Sequence, residues 1–373
     1  MPVLKDLKPV QAQPGKPLYL AAKDRIREAI DGGMFGPGEQ MPSTKELSEQ
    51  LEISLVTAHR ALQELVNAGI LQSSQGKGTF VHQAYLEGRR TVSESRVGIV
   101  FHPDASIGDF YYAQVIEGVR QAAHAMHVDL VLLRFEEDVK KECNGFLYIN
   151  PTRTEVESHL ANGNGNGHAN KRRLPNVVVS ARSEATNVCS VDVDNVQLAS
   201  QAVTHLLGHG HTQIGYIGGT EEISNNHDRW QGYSATLADR RITPKPQWIL
   251  KCAGGRLNDR EKNELIRLLS SPQRPTAIFA AGYYFALDVY AAAQTIGLKI
   301  GEELSVVGVD DPPSAAYLSP PLTTMRQPLV ELGHSAITAL VERIRNDGAP
   351  VQNRLLQAEL VIRRSSTATA IKH

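Results

Sequence analysis

The chain has 373 residues, 41% of them apolar and 21% charged, enough apolar mass for two or three packed domains and too much for a chain that is disordered throughout. Its 39 Lys and Arg against 40 Asp and Glu give a net charge of −1, which excludes a uniformly basic nucleic-acid coat and an acidic tail protein but not a local DNA-reading face. No run approaches the roughly 18 consecutive apolar residues of a membrane span, the first 16 residues lack the apolar core of a signal segment, and Cys143, Cys189 and Cys252 are odd in number and far apart, so the expectation is a cytoplasmic chain with no disulfide framework and no membrane contact.

Residues 1–17 read as a polar N-terminal tail. From Leu18 the apolar residues recur at 18, 22, 26 and 30, one face of a helix that stops at Gly32-Gly33. Pro42 precedes Ser43-Thr44-Lys45-Glu46, a capping box in which Ser43 accepts from the amide three residues on and Glu46 reaches back. The helix it opens runs to about Leu51. After Glu52-Ile53, Ser54 caps a third helix with Ala58, Ala61, Leu62 and Leu65 on its buried face, ended by Gly69. Ile70-Leu71-Gln72 and Thr79-Phe80-Val81 are strands around a polar turn. Residues 18–82 therefore predict a winged helix-turn-helix, and 83–95 a polar linker.

At 100° per residue, Val56, His59, Arg60, Gln63 and Asn67 lie opposite the buried face of the third helix. In this architecture the start of that face enters a major groove: His59 and Arg60 can donate to bases or phosphates, Thr57 can reach phosphate, and Val56 can touch a thymine methyl. At the wing tip, Gly76-Lys77-Gly78 allows close backbone approach, with Lys77 for phosphate. Taken alone, His59 reads as an ordinary surface residue; the whole arrangement does not. Residues 1–92 carry 11 Lys and Arg against 10 Asp and Glu, so affinity must come from a concentrated face or from dimerisation.

Three runs in this segment, Gly38 to Leu47, Ser54 to Leu62 and Gln75 to Val81, resemble the GntR family of bacterial transcription regulators. The resemblance implies DNA contacts from Lys45, Ser54, Leu55, Val56, Thr57, His59 and Gly76 to Gly78. It departs at Lys45, Leu55 and His59, where the family usually has arginine, and that loss weakens bidentate reading of guanine.

From Arg96 the pattern becomes α/β. Strands are predicted at Val97 to Phe101, Val128 to Phe135, Gly145 to Ile149, Val177 to Ser180, Ile214 to Ile217, Ala277 to Ala280 and Ser305 to Val309. Helices fall between them, at Ala113 to Met126, Val196 to Leu207 and Phe285 to Ile296. Buried strands alternating with helices predict parallel sheets covered on both faces, and the length favours two lobes over residues 96–373. Only nine residues, Glu136 to Asn144, join two strands expected to be parallel, too few for a helical crossover. Asn162 to His168, ahead of Lys171-Arg172-Arg173, reads as a solvated insertion.

Seven motifs in this region look like the LacI/GalR effector domain, a two-lobed periplasmic-binding-protein fold: Val191-Asp-Val-Asp-Asn195, His205-Leu-Leu-Gly-His-Gly210, Ile214-Gly-Tyr-Ile-Gly-Gly219, Arg229-Trp-Gln-Gly-Tyr233, Pro275-Thr-Ala-Ile-Phe279, Ser305 to Asp311 and Pro320 to Thr324. The combination of a GntR-type reader with a LacI-type sensor resembles the arabinose repressor architecture. The resemblance implies an effector site formed by Phe110, Tyr111, Ser180, Arg229, Tyr283 and Asp310. Gly282-Tyr283 stands where sugar-responsive members carry an Asn-Asp pair, and Ser180 where an acidic residue is common. The effector is then a sugar or another, less polar metabolite.

His205 and His209 have a metal-ligand spacing but no evident third ligand and read as structural. There is no P-loop, Gly-x-Ser-x-Gly elbow or Cys-x-x-Cys, so no enzyme and no cofactor is expected. The sequence thus predicts a homodimeric, ligand-responsive transcription regulator, more in keeping with a repressor, acting on double-stranded operator DNA. The rivals are a DNA-binding protein whose second domain is only a dimerisation scaffold, and a solute-binding protein, which would leave residues 18–81 unexplained.

Overall fold

The first turns of the second and third N-terminal helices show why these residues fold as they do. In the computed structural model, α1 is Leu18–Asp31, α2 Thr44–Gln50 and α3 Leu55–Asn67. Ser43 Oγ accepts from the Glu46 amide at 3.2 Å and Glu46 Oε2 accepts from the Ser43 amide at 2.7 Å, closing the capping box. Ser54 Oγ accepts from the Thr57 amide at 3.1 Å. Each cap is worth about 1 kcal/mol. Ala22, Ile26 and Ile30 of α1 meet Ala58, Ala61, Leu62 and Leu65 of α3 in one core. Leu7 is buried in that core and the Val10 amide donates to Leu51 O at 3.1 Å, so part of the segment read as a tail is packed. β1 (Leu71–Ser74) and β2 (Gly78–Val81) pair antiparallel from Leu71↔Val81 to Ser74↔Gly78, a longer wing than the sequence indicates. Gly76 (φ +74°) and Gly78 (φ +113°) supply the left-handed turn.

The described residues are 7, 9–10, 17–74, 76–83, 85, 95–102, 105–134, 143–156, 174–182, 188–346 and 351–367. The chain divides into two units, Met1–Glu94 and Ser95–His373. The shortened connection 136–144 lies mostly, and 162–168 and 171–173 entirely, outside the described residues.

The second unit is built on two six-stranded sheets. The first is wholly parallel, in the order β13 (Arg354–Leu356), β7 (Cys189–Val193), β6 (Asn176–Val179), β5 (Gly145–Ile149), β3 (Arg96–Phe101), β4 (Asp129–Arg134). β4 and β5 are both parallel to β3 but flank it on opposite sides, so the short connection joins strands that are not neighbours. The second sheet runs β14 (Glu359–Val361), β12 (Thr323–Arg326), β11 (Ser305–Val309), β10 (Ala277–Ala280), β8 (Ile214–Gly219), β9 (Ile249–Cys252), with only β14 antiparallel. Runs such as Val177-Val178-Val179 are buried on both faces, as strands covered by helices must be.

Three passages of chain connect the sheets. β7 leads into α6 (Asn195–Gly208), which packs on the second sheet; β12 leads back into α10 (Leu329–Arg345), which packs on the first; and β13 continues into β14. Two lobes tied by three crossings form a hinge at which few residues need change conformation. The other helices used below are α4 (Phe110–Met126), α5 (Arg153–Glu155), α7 (Ser224–Asp239), α8 (Asp259–Ser270) and α9 (Tyr283–Ile296). The sequence starts α4 at Ala113; the structure starts it at Phe110, which turns three aromatic residues into helix N-terminus. Among the described residues no helix is long and apolar enough to cross a membrane.

Candidate functional site

Two sites were expected, one in each unit. In the first unit, Lys45, Ser54, Leu55, Val56, His59, Arg60, Gly76, Lys77 and Gly78 are all exposed and Thr57 is half-buried. Leu55 and Val56, the first two residues of α3, are 55% and 79% exposed. Two of the expected hydrogen-bonding groups are engaged within the domain. The Thr57 hydroxyl lies 2.7 Å from Ser54 Oγ, and the Arg60 guanidinium stacks 3.9 Å from the centre of the Tyr19 ring on α1. At the wing, Gln40 Nε2 donates to Lys77 O at 2.9 Å and steadies the turn.

In the second unit a cavity of about 230 Å³ opens where the carboxyl ends of the two sheets meet. Five of the six expected effector residues, Phe110, Tyr111, Arg229, Tyr283 and Asp310, line it; Ser180 does not. Ser180, in the left-handed region at φ +57°, stands behind Tyr111, whose hydroxyl bonds to its Oγ. The walls also include Tyr284, which follows Tyr283 in the sequence, and Asp109, Tyr112, Asn150, Asn225, Asn226 and Gln327, which sequence reasoning missed. Asn225 and Asn226 had a signal, since they precede Arg229 by four and three positions on one face of α7. Gln327 and Asn150 had none; they sit at strand ends that only the assembled sheets bring together.

Arg229 organises the floor of this cavity. It is buried; its Nε donates to Asn195 Oδ1 at 2.8 Å and its Nη1 to Ala281 O at 2.9 Å. Asp310, at φ +71°, accepts from Gln327 Nε2 at 2.6 Å. Burial raises its carboxyl above the usual range, opposed by the nearby Arg229 and by the Gln327 bond. Its neighbour Asp311 is turned the other way and pairs with Arg326 and Arg363, each at 2.7 Å. Asp192, buried beside the first crossing, accepts from the Val193 amide at 2.7 Å, while its Oδ2 has no hydrogen-bond partner among the described residues. Burial pushes the Asp192 carboxyl up to about 7, against the opposing Val193 bond and Arg229.

This sets a pH prediction. The folded chain keeps on Asp192 a proton that the unfolded chain gives up near pH ~3.9. The resulting stability is complete below that value and is lost as pH rises to about 7, by up to ~1.4 kcal/mol per pH unit. Asp192→Asn does not ionise, so its stability relative to the natural chain is expected to be higher at pH 7.5 than at pH 4.5, as read by urea denaturation. Parallel stability curves for the two chains would contradict it.

The lobes also touch across the cavity mouth. Tyr284 Oη donates to Asp109 Oδ1 at 2.9 Å, and the Arg256 guanidinium, 3.5 Å from the Tyr284 ring centre, has Nη2 3.8 Å from the same carboxylate. Asn225 Nδ2 donates to Asn150 Oδ1 at 3.3 Å, and Arg182 Nε lies 2.9 Å from Asp228 Oδ2. Groups outside the cavity are structurally occupied. His205 Nε2 lies 2.8 Å from Ser366 Oγ, the His205 and His209 rings meet at 4.8 Å, and burial raises the Cys252 thiol to about 12, far from a reactive thiolate.

Residues 18–81 match the gntR family of bacterial regulatory proteins, and residues 203–366 match the periplasmic binding protein-like domain. The ribose operon repressor of Haemophilus influenzae is 30% identical over 272 residues, covering 68% of this chain and 77% of its own. The chain belongs to the LacI-type transcriptional repressors. Its N-terminal domain is of the GntR type. The arabinose metabolism transcriptional repressor of Geobacillus stearothermophilus is similar over 94% of this chain and 98% of its own, at 26% identity. Among solved structures, the transcriptional regulator CelR–cellobiose complex superposes with a TM-score of 0.64 over 87% of this chain and all of its own, at 18% identity, which speaks for the LacI-type fold.

Proposed function

We propose that this LacI-type repressor binds operator DNA as a homodimer, through the start of α3 and the wing, and is switched by a small polar metabolite held between its lobes. The observation that carries the sensor part is the composition of the cavity. Six aromatic residues, Phe110, Tyr111 and Tyr112 from α4 with Tyr283, Tyr284 and Phe285 from α9, line it together with the buried polar groups Arg229, Asn225 and Gln327 and the half-buried Asp310. Aromatic faces with a few convergent polar groups fit a compact ring bearing hydroxyls, and the volume is small by the standards of ligand pockets, so a monosaccharide-sized effector is favoured. The sugar named with the ribose operon repressor supports this class, and the cellobiose of the CelR complex, a disaccharide, supports a carbohydrate more broadly.

Ligand that closes the lobes favours one hinge angle, and coupling to DNA needs a difference in affinity between the two states, typically about 1–3 kcal/mol. The test is fluorescence anisotropy with the full-length chain against DNA fragments from its own gene neighbourhood, with and without a panel of monosaccharides and nucleosides. One fragment is expected to bind selectively, and one small polar ring compound is expected to shift its midpoint by five- to 150-fold. Absence of any sequence-selective fragment would remove the repressor assignment. Selective DNA binding that no compound shifts, with no compound raising the melting temperature, would reduce the second unit to a scaffold.

A further inference from the structure

We infer that the operator presents thymine 5-methyl groups to α3, and that Leu55 and Val56 are the residues that select them. This rests on the repressor reading above and deepens it to the class of base recognised.

The hydrogen-bonding capacity at the start of α3 is small. Over Leu55–Asn67 the helix contains one arginine and no lysine. That arginine, Arg60, lies over the Tyr19 ring of the same domain. The Thr57 hydroxyl is drawn back to Ser54 Oγ. Bidentate reading of guanine O6 and N7 needs a guanidinium or ammonium free to enter the groove, and the first turn of α3 offers none.

It offers apolar surface instead. Leu55 and Val56 are adjacent, they open the helix, and they are the only exposed large apolar side chains of the first unit among the described residues. Every other large apolar residue of α3 is buried or half-buried. Two exposed aliphatic side chains at this position gain by leaving water, and the group in the major groove that can cover them is the thymine methyl, which cytosine, guanine and adenine lack. The setting fits a polyanion as partner: Lys45 on α2 and Lys77 on the wing are exposed, and the amino end of α3 carries the positive pole of its dipole. Phosphate contacts fix the register, and the aliphatic pair reads the methyls.

The experiment has two stages and uses the full-length chain. Bound duplexes are first selected from a random-sequence library. In the selected duplex, each thymine is then replaced singly by uracil, which keeps the base pair and removes only the methyl. Loss of one buried methyl is expected to weaken binding about three- to fivefold at one or two neighbouring thymines in each half-site, and to leave the other positions unchanged. The double variant Leu55→Ala/Val56→Ala is expected to bind the thymine and uracil duplexes equally. It should keep its melting temperature, because both side chains are exposed, and its salt dependence, because phosphate contacts are untouched. A selected duplex whose affinity ignores uracil at every position overturns this proposal alone. Failure to select any sequence overturns the repressor reading and this proposal with it.

Discussion

Replacing Gly118 with alanine is expected to cost the second unit about 2–3 kcal/mol of stability, read by urea denaturation. Gly118 lies mid-way along α4, where that helix meets α10. A Cβ there would sit 1.9 Å from Val330 O and 3.0 Å from His334 N. The contact is reciprocal, since a Cβ at Gly333 would sit 2.0 Å from Val115 O and 2.9 Å from Val119 N. All four atoms belong to helix backbone, so no rotamer change relieves the clash and the helices must separate. Close-packed interiors do not absorb such a shift without loss. Because one crossing is involved, Gly118→Ala and Gly333→Ala together are expected to cost less than the two singly. The displacement should also reach the effector cavity, because α4 begins with Phe110, Tyr111 and Tyr112 and α10 follows Gln327. Gly208 at the end of α6 is the control: a Cβ there meets nothing within 4 Å, and alanine is expected to be neutral or slightly stabilising. Equal stability of the Gly118→Ala and Gly208→Ala chains would show that the helices are not locked by this contact.

What could be read in the sequence was whatever is decided within a few residues. The Ser43–Glu46 box, the Ser54 cap, the Gly76 and Gly78 turn and strands such as Ala277–Ala280 follow from local hydrogen bonding and unbroken apolar runs. β12, β13 and β14 escaped because they are three or four residues long, carry polar or charged residues, and gain strand geometry only from distant partners: Leu355 pairs with Asp192, and Met325 with Leu360. The site divides in the same way. Arg229 and Asp310 lie in motifs and Tyr283 follows one, whereas Asp109, Asn150 and Gln327 converge only because three crossings bring the ends of the two sheets together. Asp192 lay within a quoted motif, yet nothing local said that it would be buried next to an arginine 37 positions away.

Arg229→Lys is expected to separate sensing from folding. Arginine at 229 holds Asn195, at the first crossing, and the carbonyl after β10 with two different nitrogens, and three of its five N–H donors remain for other partners. Lysine keeps a positive charge near Asp192 and Asp310, but a single ammonium cannot hold both partners in that geometry and still meet a ligand in the cavity. A lost charge-assisted hydrogen bond is worth about 1.5–3 kcal/mol, so the effector midpoint should rise roughly 10- to 150-fold while operator binding without effector persists. Arg229→Ala acts differently. It leaves Asn195 Oδ1 and the Ala281 carbonyl without their donor and takes the nearby cation from the buried Asp192 and the half-buried Asp310, raising both carboxyls further, and should destabilise the unit by about 2–5 kcal/mol. Adding Asp310→Asn to Arg229→Ala replaces one of the carboxyls that lost its neighbouring cation with a neutral amide and is expected to recover part of that stability, but none of the effector response. Titration calorimetry and denaturation on the three variants distinguish these effects. If Arg229→Lys responds to effector as the natural chain does, Arg229 only holds the crossing in place, and ligand recognition falls to Asp310, Asn225 and the aromatic walls.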